Sequence, residues 1–256
     1  MTQRIAVAMQ VWNEEDIIAL SIRQLYEWPI DVFVLYDGGC TDNTIEIAKN
    51  YMRNLKCSTF IKQLEDPHDE YFLRHSLEPQ TFNQWHEDLK DFDWILHLDA
   101  DEIYSPLFPK FLYELKESTP EYNCIYFQRL QMVGSPSTYL WKCFENDPPC
   151  PVKGNDYHPL RHDFQNRFYK IKDFFYPDFD NMDTHPHPYH GLVPIVFNNV
   201  KILHIKYLLN KVKLLRGQTN YEAPSHYTDP RNEYKELERY MIPDVLYEWW
   251  HSYTYI

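Results

Sequence analysis

Apolar positions in the first half of the chain come in two alternating patterns. Arg4–Val11, Val32–Tyr36, Ser58–Lys62, Trp94–Leu98 and Cys124–Leu130 are short runs with the length and residue types of strands. Between them, Ile17, Ile18, Ile22, Leu25 and Tyr26 recur at helical spacing, as do Ile45, Ile47, Ala48, Tyr51 and Met52. Residues from roughly Pro79 to Lys90 and from Phe108 to Glu117 also read as helix. Such alternation predicts an α/β fold, a mostly parallel central sheet flanked by helices. Its crossovers are right-handed, and ligands gather beyond the carboxyl ends of the strands.

After about residue 131 this rhythm is lost. Pro148-Pro149-Cys150-Pro151 and the stretch from Phe174 to His190 are rich in loop formers. Val193–Leu203 resumes a strand-like pattern, and Leu208–Arg216 a helical one. From Tyr234 to Trp250 an amphipathic helix is expected, interrupted at Pro243. The organisation implied is one domain over residues 1–215 with a C-terminal helical appendage over 216–256.

Three strand ends carry candidate chemistry. The first run leads into Asn13-Glu14-Glu15-Asp16, where Asn13 is placed to cap a helix and the acids suit its positive end. The second stops at Asp37-Gly38-Gly39-Cys40-Thr41-Asp42. The fourth ends in Asp99-Ala100-Asp101-Glu102. Carboxylates this close repel one another and are costly to bury, so the strand tip needs a compensating cation, for which a hard divalent metal is suited. Asp99 and Asp101 are two apart, so extended backbone would set both on one side. A solvated acidic turn is the bland alternative.

Composition narrows the classes. Hydrophobic residues are 44% of the chain and can fill a sizeable core, while a net charge of −13 argues against a nucleic-acid partner. No apolar run approaches the ~18 residues of a membrane span. Ile5–Val11 is too short for a secretion signal and runs into acidic residues. The 5 cysteines are odd in number and lack a zinc pattern, so reduced thiols in a cytoplasmic protein are expected.

Taken in order, Val11-Trp12-Asn13-Glu14-Glu15, then Tyr36-Asp37-Gly38-Gly39-Cys40-Thr41-Asp42-Asn43-Thr44, then Asp93 to Glu102 resemble family-2-like glycosyltransferases of the GT-A fold. The likeness covers about residues 4 to 130; beyond that it is limited to pieces around Arg167-Phe168-Tyr169 and Ile202-Leu203-His204. It implies a nucleotide-binding half over about 1–130 and an acceptor half over about 131–215. It also implies hexose transfer from a nucleoside diphosphate sugar, with UDP as the usual nucleotide, to a sugar or other hydroxyl acceptor. Inversion and a Mn²⁺ or Mg²⁺ cofactor belong to the same expectation.

The resemblance also implies roles. Backbone of Gln10, Val11 and Trp12 would flank the base; Trp12 is either a stacking face or ordinary core. Asn13 and Glu14 open the next element. Asp37 would accept a hydrogen bond from the base, or be only a turn residue; relatives usually carry a second Asp where this chain has Gly38. Asp99 would meet the ribose or a metal-bound water, Ala100 would lie against the donor, and Asp101 would ligate the metal. Glu102 is either a supporting partner or an acceptor contact. Arg74 is either a diphosphate contact or a surface residue, and His204 either a third metal ligand or a structural histidine. Asp180, Asp183 and His190 are candidates for the base that takes the acceptor's proton, with Asp183 preferred. His185, His187 and His190 lie close together, but no cysteine is near to complete a zinc site.

Two rivals stand beside this reading. A nucleotidyltransferase would carry a glycine-rich basic loop after its first strand, where this chain has Asn13-Glu14-Glu15-Asp16. A non-catalytic carbohydrate-binding protein on the same fold would not need both Asp99 and Asp101.

Overall fold

The computed structural model describes residues 2–64, 84–133, 138–140, 164–175, 187–188, 193–205 and 239–241. The chain opens with β1 (Ile5–Val11), α1 (Ile18–Arg23), β2 (Val32–Asp37), α2 (Thr44–Met52) and β3 (Ser58–Gln63). Helix α3 covers 84–89. Then come β4 (Trp94–Asp99), β5 (Glu102–Tyr104), α4 (Phe108–Lys116), β6 (Cys124–Val133), β7 (Thr138–Leu140) and β8 (Phe164–Lys170). The described residues close with β9 (Phe174–Phe175), β10 (His187–Pro188), β11 (Pro194–Ile205) and β12 (Arg239–Met241).

The main sheet runs β12-β7-β6-β8-β4-β1-β2-β3, with β11 joined to β6 and β5. β4, β1, β2 and β3 are parallel neighbours, as the βα alternation requires. Beyond β4 the sheet is mixed: β8 is antiparallel to β4 and β6, whereas β11 is parallel to β6 and antiparallel to β5.

Alternate residues of the central strands face opposite layers. Ile5, Val7, Met9, Phe33, Leu35, Trp94, Leu96 and Leu98 pack with Ile18, Ile22, Phe108, Leu112 and Leu115 of the helical layer. Ala6, Ala8, Val32, Val34, Tyr36 and Ile95 pack with Trp85 and Leu89 of α3 and with Tyr169. Burial on both faces explains why these strands are continuous apolar runs rather than alternating ones. Each large side chain so buried contributes about 1.5–3 kcal/mol.

Charged residues pin the amino ends of the parallel strands. The Asp31 carboxylate accepts the Ile5 amide at 2.7 Å and takes both oxygens to Lys116 Nζ, at 2.8 and 2.9 Å. Asp93 accepts the Arg4 amide at 2.8 Å. The opposite ends are left to the candidate chemistry.

Three sequence expectations are corrected. Asn13 does not cap a helix: α1 starts only at Ile18, after a turn in which the Ile17 and Ile18 amides reach Glu14 O. The Asn13 side chain is committed elsewhere, and no acid lies in the first turn of α1. Within the stretch expected to be loop, Phe174–Phe175 and His187–Pro188 pair as antiparallel strands. Arg239–Met241, expected inside a helix, pairs antiparallel with β7, with Tyr240 opposite Tyr139. A partner strand satisfies that backbone, and Pro243 just beyond could not donate a helical bond. The expected helix over Leu208–Arg216 lies outside the described residues, as does the rest of the tail.

Candidate functional site

Sheet register gathers the three strand ends. Gln10 is the partner of Tyr36 on one side and of Asp99 on the other, and Val11 is the partner of Asp37. The loops leaving β1, β2 and β4 therefore start side by side at the carboxyl edge of a parallel sheet, where α/β folds hold ligands. Trp12 is half-buried, packed against the layer that contains Trp85.

The first two loops are stitched together. Asn13 has φ 54°, a left-handed backbone that asparagine tolerates better than most residues. Its Oδ1 accepts the Thr41 amide at 2.8 Å and the Asp42 amide at 3.3 Å. The Glu14 amide donates to Thr44 Oγ1 at 2.6 Å, and Thr44 Oγ1 donates to Asp42. Asp37 Oδ1 accepts the amides of Gly39 at 2.9 Å and Cys40 at 2.8 Å, so one carboxylate oxygen shapes the turn. Gly39 takes φ 90°, which glycine adopts without steric cost. The Cys40 thiol lies inside this turn and accepts the Asn13 amide at 3.3 Å. Burial, reinforced by Asp37, pushes the thiol up to about 12, so it stays protonated.

The acidic turn after β4 is held from both sides. On the helical side, Ser21 Oγ donates to Ala100 O. Gln24 Nε2 donates to Glu102 O at 2.9 Å, and Gln24 Oε1 accepts the Tyr104 amide at 3.0 Å. Both side chains are buried polar groups, Ser21 in α1 and Gln24 at the start of the 3-10 turn Gln24–Glu27 that follows it, in a segment that also buries Ile18, Ile22 and Leu25.

On the other side lies Arg167 of β8, brought there because β8 pairs antiparallel with β4, Phe168 opposite Leu96. Its Nη2 donates to Glu102 Oε1 at 2.7 Å and to Asp99 Oδ2. Arg167 Nη1 lies 3.3 Å from His97 Nδ1. A guanidinium can only donate, so Nδ1 accepts and the ring hydrogen belongs on Nε2. That nitrogen is 3.0 Å from Asp99 Oδ1. The His97 ring packs edge-on against Trp85 at 4.9 Å.

Glu102 is fully buried and Arg167 nearly so. Burial opposes the guanidinium's charge, but Asp99 and Glu102, with Tyr104, outweigh it and hold the Arg167 pKa above the ordinary arginine value. Breaking such a buried pair is costly because it strands the remaining charge. Glu102, for which the sequence left two roles open, is fully buried and ion-paired to Arg167. Arg167, Ser21, Gln24 and His97 hold the acidic turn of the candidate site, and sequence reasoning did not select them for it.

Asp99, expected to meet the ribose or a metal-bound water, is reached by Arg167 at one oxygen and by His97 at the other. Asp101 is half-buried at the turn. Among the described residues no group of three or more His, Cys, Asp or Glu side chains is arranged to hold a metal ion. His204 lies in β11 as the backbone partner of Glu102, one residue from Asp101. Arg74, Asp180, Asp183 and His190 lie outside the described residues.

No family model and no curated protein matches the sequence. Solved structures do. The chain is similar to residues 1–349 of S. aureus TarS, at 13% identity over 78% of this chain and 60% of that one, TM-score 0.42. It is similar to glucosyl-3-phosphoglycerate synthase from Mycobacterium tuberculosis with Mn²⁺, UDP and phosphoglyceric acid, at 17% identity over 53% and 45%, TM-score 0.37. It is also similar to a mannosyltransferase from Pyrobaculum calidifontis with GDP-Man and Mn²⁺, at 16% identity over 53% and 37%, TM-score 0.37. In each case this chain spans less than two thirds of the other's length. No helix among the described residues is long and apolar enough to cross a membrane.

Proposed function

We propose that this protein is a GT-A-type glycosyltransferase that moves a hexose from a nucleoside diphosphate sugar, a UDP-sugar, to a sugar or other hydroxyl acceptor. The observation that carries the reading is the register of β1. It sets Gln10 beside Asp99, and Val11 beside Asp37, at one edge of a parallel sheet. Three motifs that resemble the family in sequence therefore converge in space.

The β1 and β2 ends would flank the base, with the Asp37 oxygen not needed by the turn accepting from it. Asp99, held by Arg167 and His97, suits a ribose hydroxyl better than an ion. Asp101 is an oxygen donor of the hard kind that Mg²⁺ and Mn²⁺ prefer. The fit to a divalent cation thus rests on Asp101 and the donor's phosphates, with His204 as the further candidate ligand. When bound, the cation supplies charge neutralisation at the departing diphosphate. In an inverting transfer the acceptor oxygen bonds to the anomeric carbon, the bond from that carbon to the diphosphate breaks, and a base takes the hydroxyl proton. Asp183, Asp180 and His190 are the candidates for that base.

The test is a thermal-shift screen of nucleoside diphosphate sugars with and without Mn²⁺, followed by donor hydrolysis with any that bind. A ligand present at about 100 times its dissociation constant adds about 2.7 kcal/mol of stability. A UDP-sugar that raises the melting temperature more with Mn²⁺ and is hydrolysed to UDP supports the reading. No shift with any nucleotide sugar overturns it.

A further inference from the structure

Three carboxylates within four residues call for a cation, and the fold supplies one from its own chain. Arg167 binds Asp99 and Glu102 together, and His97 closes the other side of Asp99. We propose that Arg167 is a positioning residue that keeps Asp99 and Glu102 as its own ion partners. A divalent cation then binds well only together with a nucleoside diphosphate. This rests on the reading of the acidic turn as a donor site.

The argument is one of competition. Glu102 is wholly buried and Arg167 almost so, and their contact spans 2.7 Å. A metal ion taking Asp99 or Glu102 as a ligand would have to pull it from the guanidinium and leave a buried positive charge beside the incoming one. Arginine cannot relieve this by losing its proton. The turn is also fixed from behind, by Ser21 on the Ala100 carbonyl and Gln24 on the Glu102 carbonyl, so it cannot swing toward an ion without breaking those bonds. A diphosphate changes the balance by bringing oxygens and negative charge of its own. Positive charge already held behind the turn disfavours a lone ion and favours the anionic complex.

The test measures Mn²⁺ binding directly, by the paramagnetic resonance signal of free Mn²⁺, with and without UDP. Wild-type protein is expected to bind Mn²⁺ much more weakly alone than with UDP. Arg167→Met, which keeps the length and loses the charge, is expected to bind Mn²⁺ alone about tenfold or more tightly than wild type, because two carboxylates are released to it. Unchanged Mn²⁺ affinity in a folded Arg167→Met protein overturns the proposal.

If Arg167→Met does not fold, Asp99→Asn and Glu102→Gln carry the test with Arg167 in place. Each is expected to leave nucleotide-free Mn²⁺ affinity within about threefold of wild type, since neither carboxylate belongs to the ion. A loss of about tenfold or more in either overturns the proposal. Failure of the donor-site reading itself would read differently: UDP would then not bind the wild-type protein at all.

Discussion

Asn13 Oδ1 accepts the Thr41 amide at 2.8 Å from a backbone held at φ 54°. One residue thus supplies both the sharp exit from β1 and the bond to the loop after β2. The two contributions can be separated. Asn13→Gly keeps access to the left-handed backbone and loses the acceptor, at a cost of about 1 kcal/mol. Asn13→Val loses both, adding the ~1–2 kcal/mol of left-handed strain. Urea unfolding at unchanged m-value should rank wild type, then Gly, then Val. Equal losses in the two variants would show that the backbone conformation carries no strain.

The parallel half of the fold was legible because each strand is an apolar run buried on two faces. Asn13, Asp37 and Asp99 were legible because each ends such a run. Arg167 was not, for a physical reason. The resemblance touched Arg167-Phe168-Tyr169 but gave Arg167 no role, because that role depends on β8 pairing with β4 across a large separation in the chain. A signal was available nonetheless: a buried acidic turn demands a cation, and an arginine leading an apolar pair in a late strand is a natural source. The same holds for Ser21 and Gln24, polar residues buried within an otherwise apolar helical segment. The acidic turn was expected to need a compensating cation, and Arg167 is one that the chain itself supplies.

His86 predicts a pH dependence of stability. Its Nε2 is buried with no hydrogen-bond partner among the described residues. Burial lowers its pKa from the ordinary value of about 6.5. The unfolded chain therefore takes up this proton before the folded one does. The stability that follows from a neutral imidazole is fully present above about pH 6.5 and is lost as pH falls through the folded value. His86→Gln should flatten this part of the acid limb when urea midpoints are compared between about pH 7.5 and about pH 5.5. An unchanged slope in the variant would assign the acid sensitivity to other groups.

Asp37 has two duties to separate, the turn and the base. Asp37→Asn keeps an oxygen for the Gly39 and Cys40 amides and removes the charge. It should lower stability little and weaken UDP binding by about 1–3 kcal/mol, measured by calorimetry. Asp37→Ala should lose both, so its melting temperature falls as well. If Asp37→Asn binds UDP as wild type does, the carboxylate serves the turn alone.

Asp101 and His204 are the last pair, and the register between β5 and β11 makes them worth testing together. His204 is the backbone partner of Glu102, and Asp101 precedes Glu102. Asp101→Asn should keep the turn and remove the anionic ligand, so Mn²⁺-dependent donor binding should fall by about tenfold or more. Metal-free UDP binding should change little. His204→Ala should raise the Mn²⁺ concentration needed for half-maximal donor binding if the imidazole is a ligand. The double variant then decides between shared and separate roles: two ligands of one ion act together, and their combined loss is smaller than the sum of the single losses. Strict additivity, with His204→Ala also lowering the urea midpoint, would return His204 to a structural role and leave Asp101 and the phosphates to hold the ion.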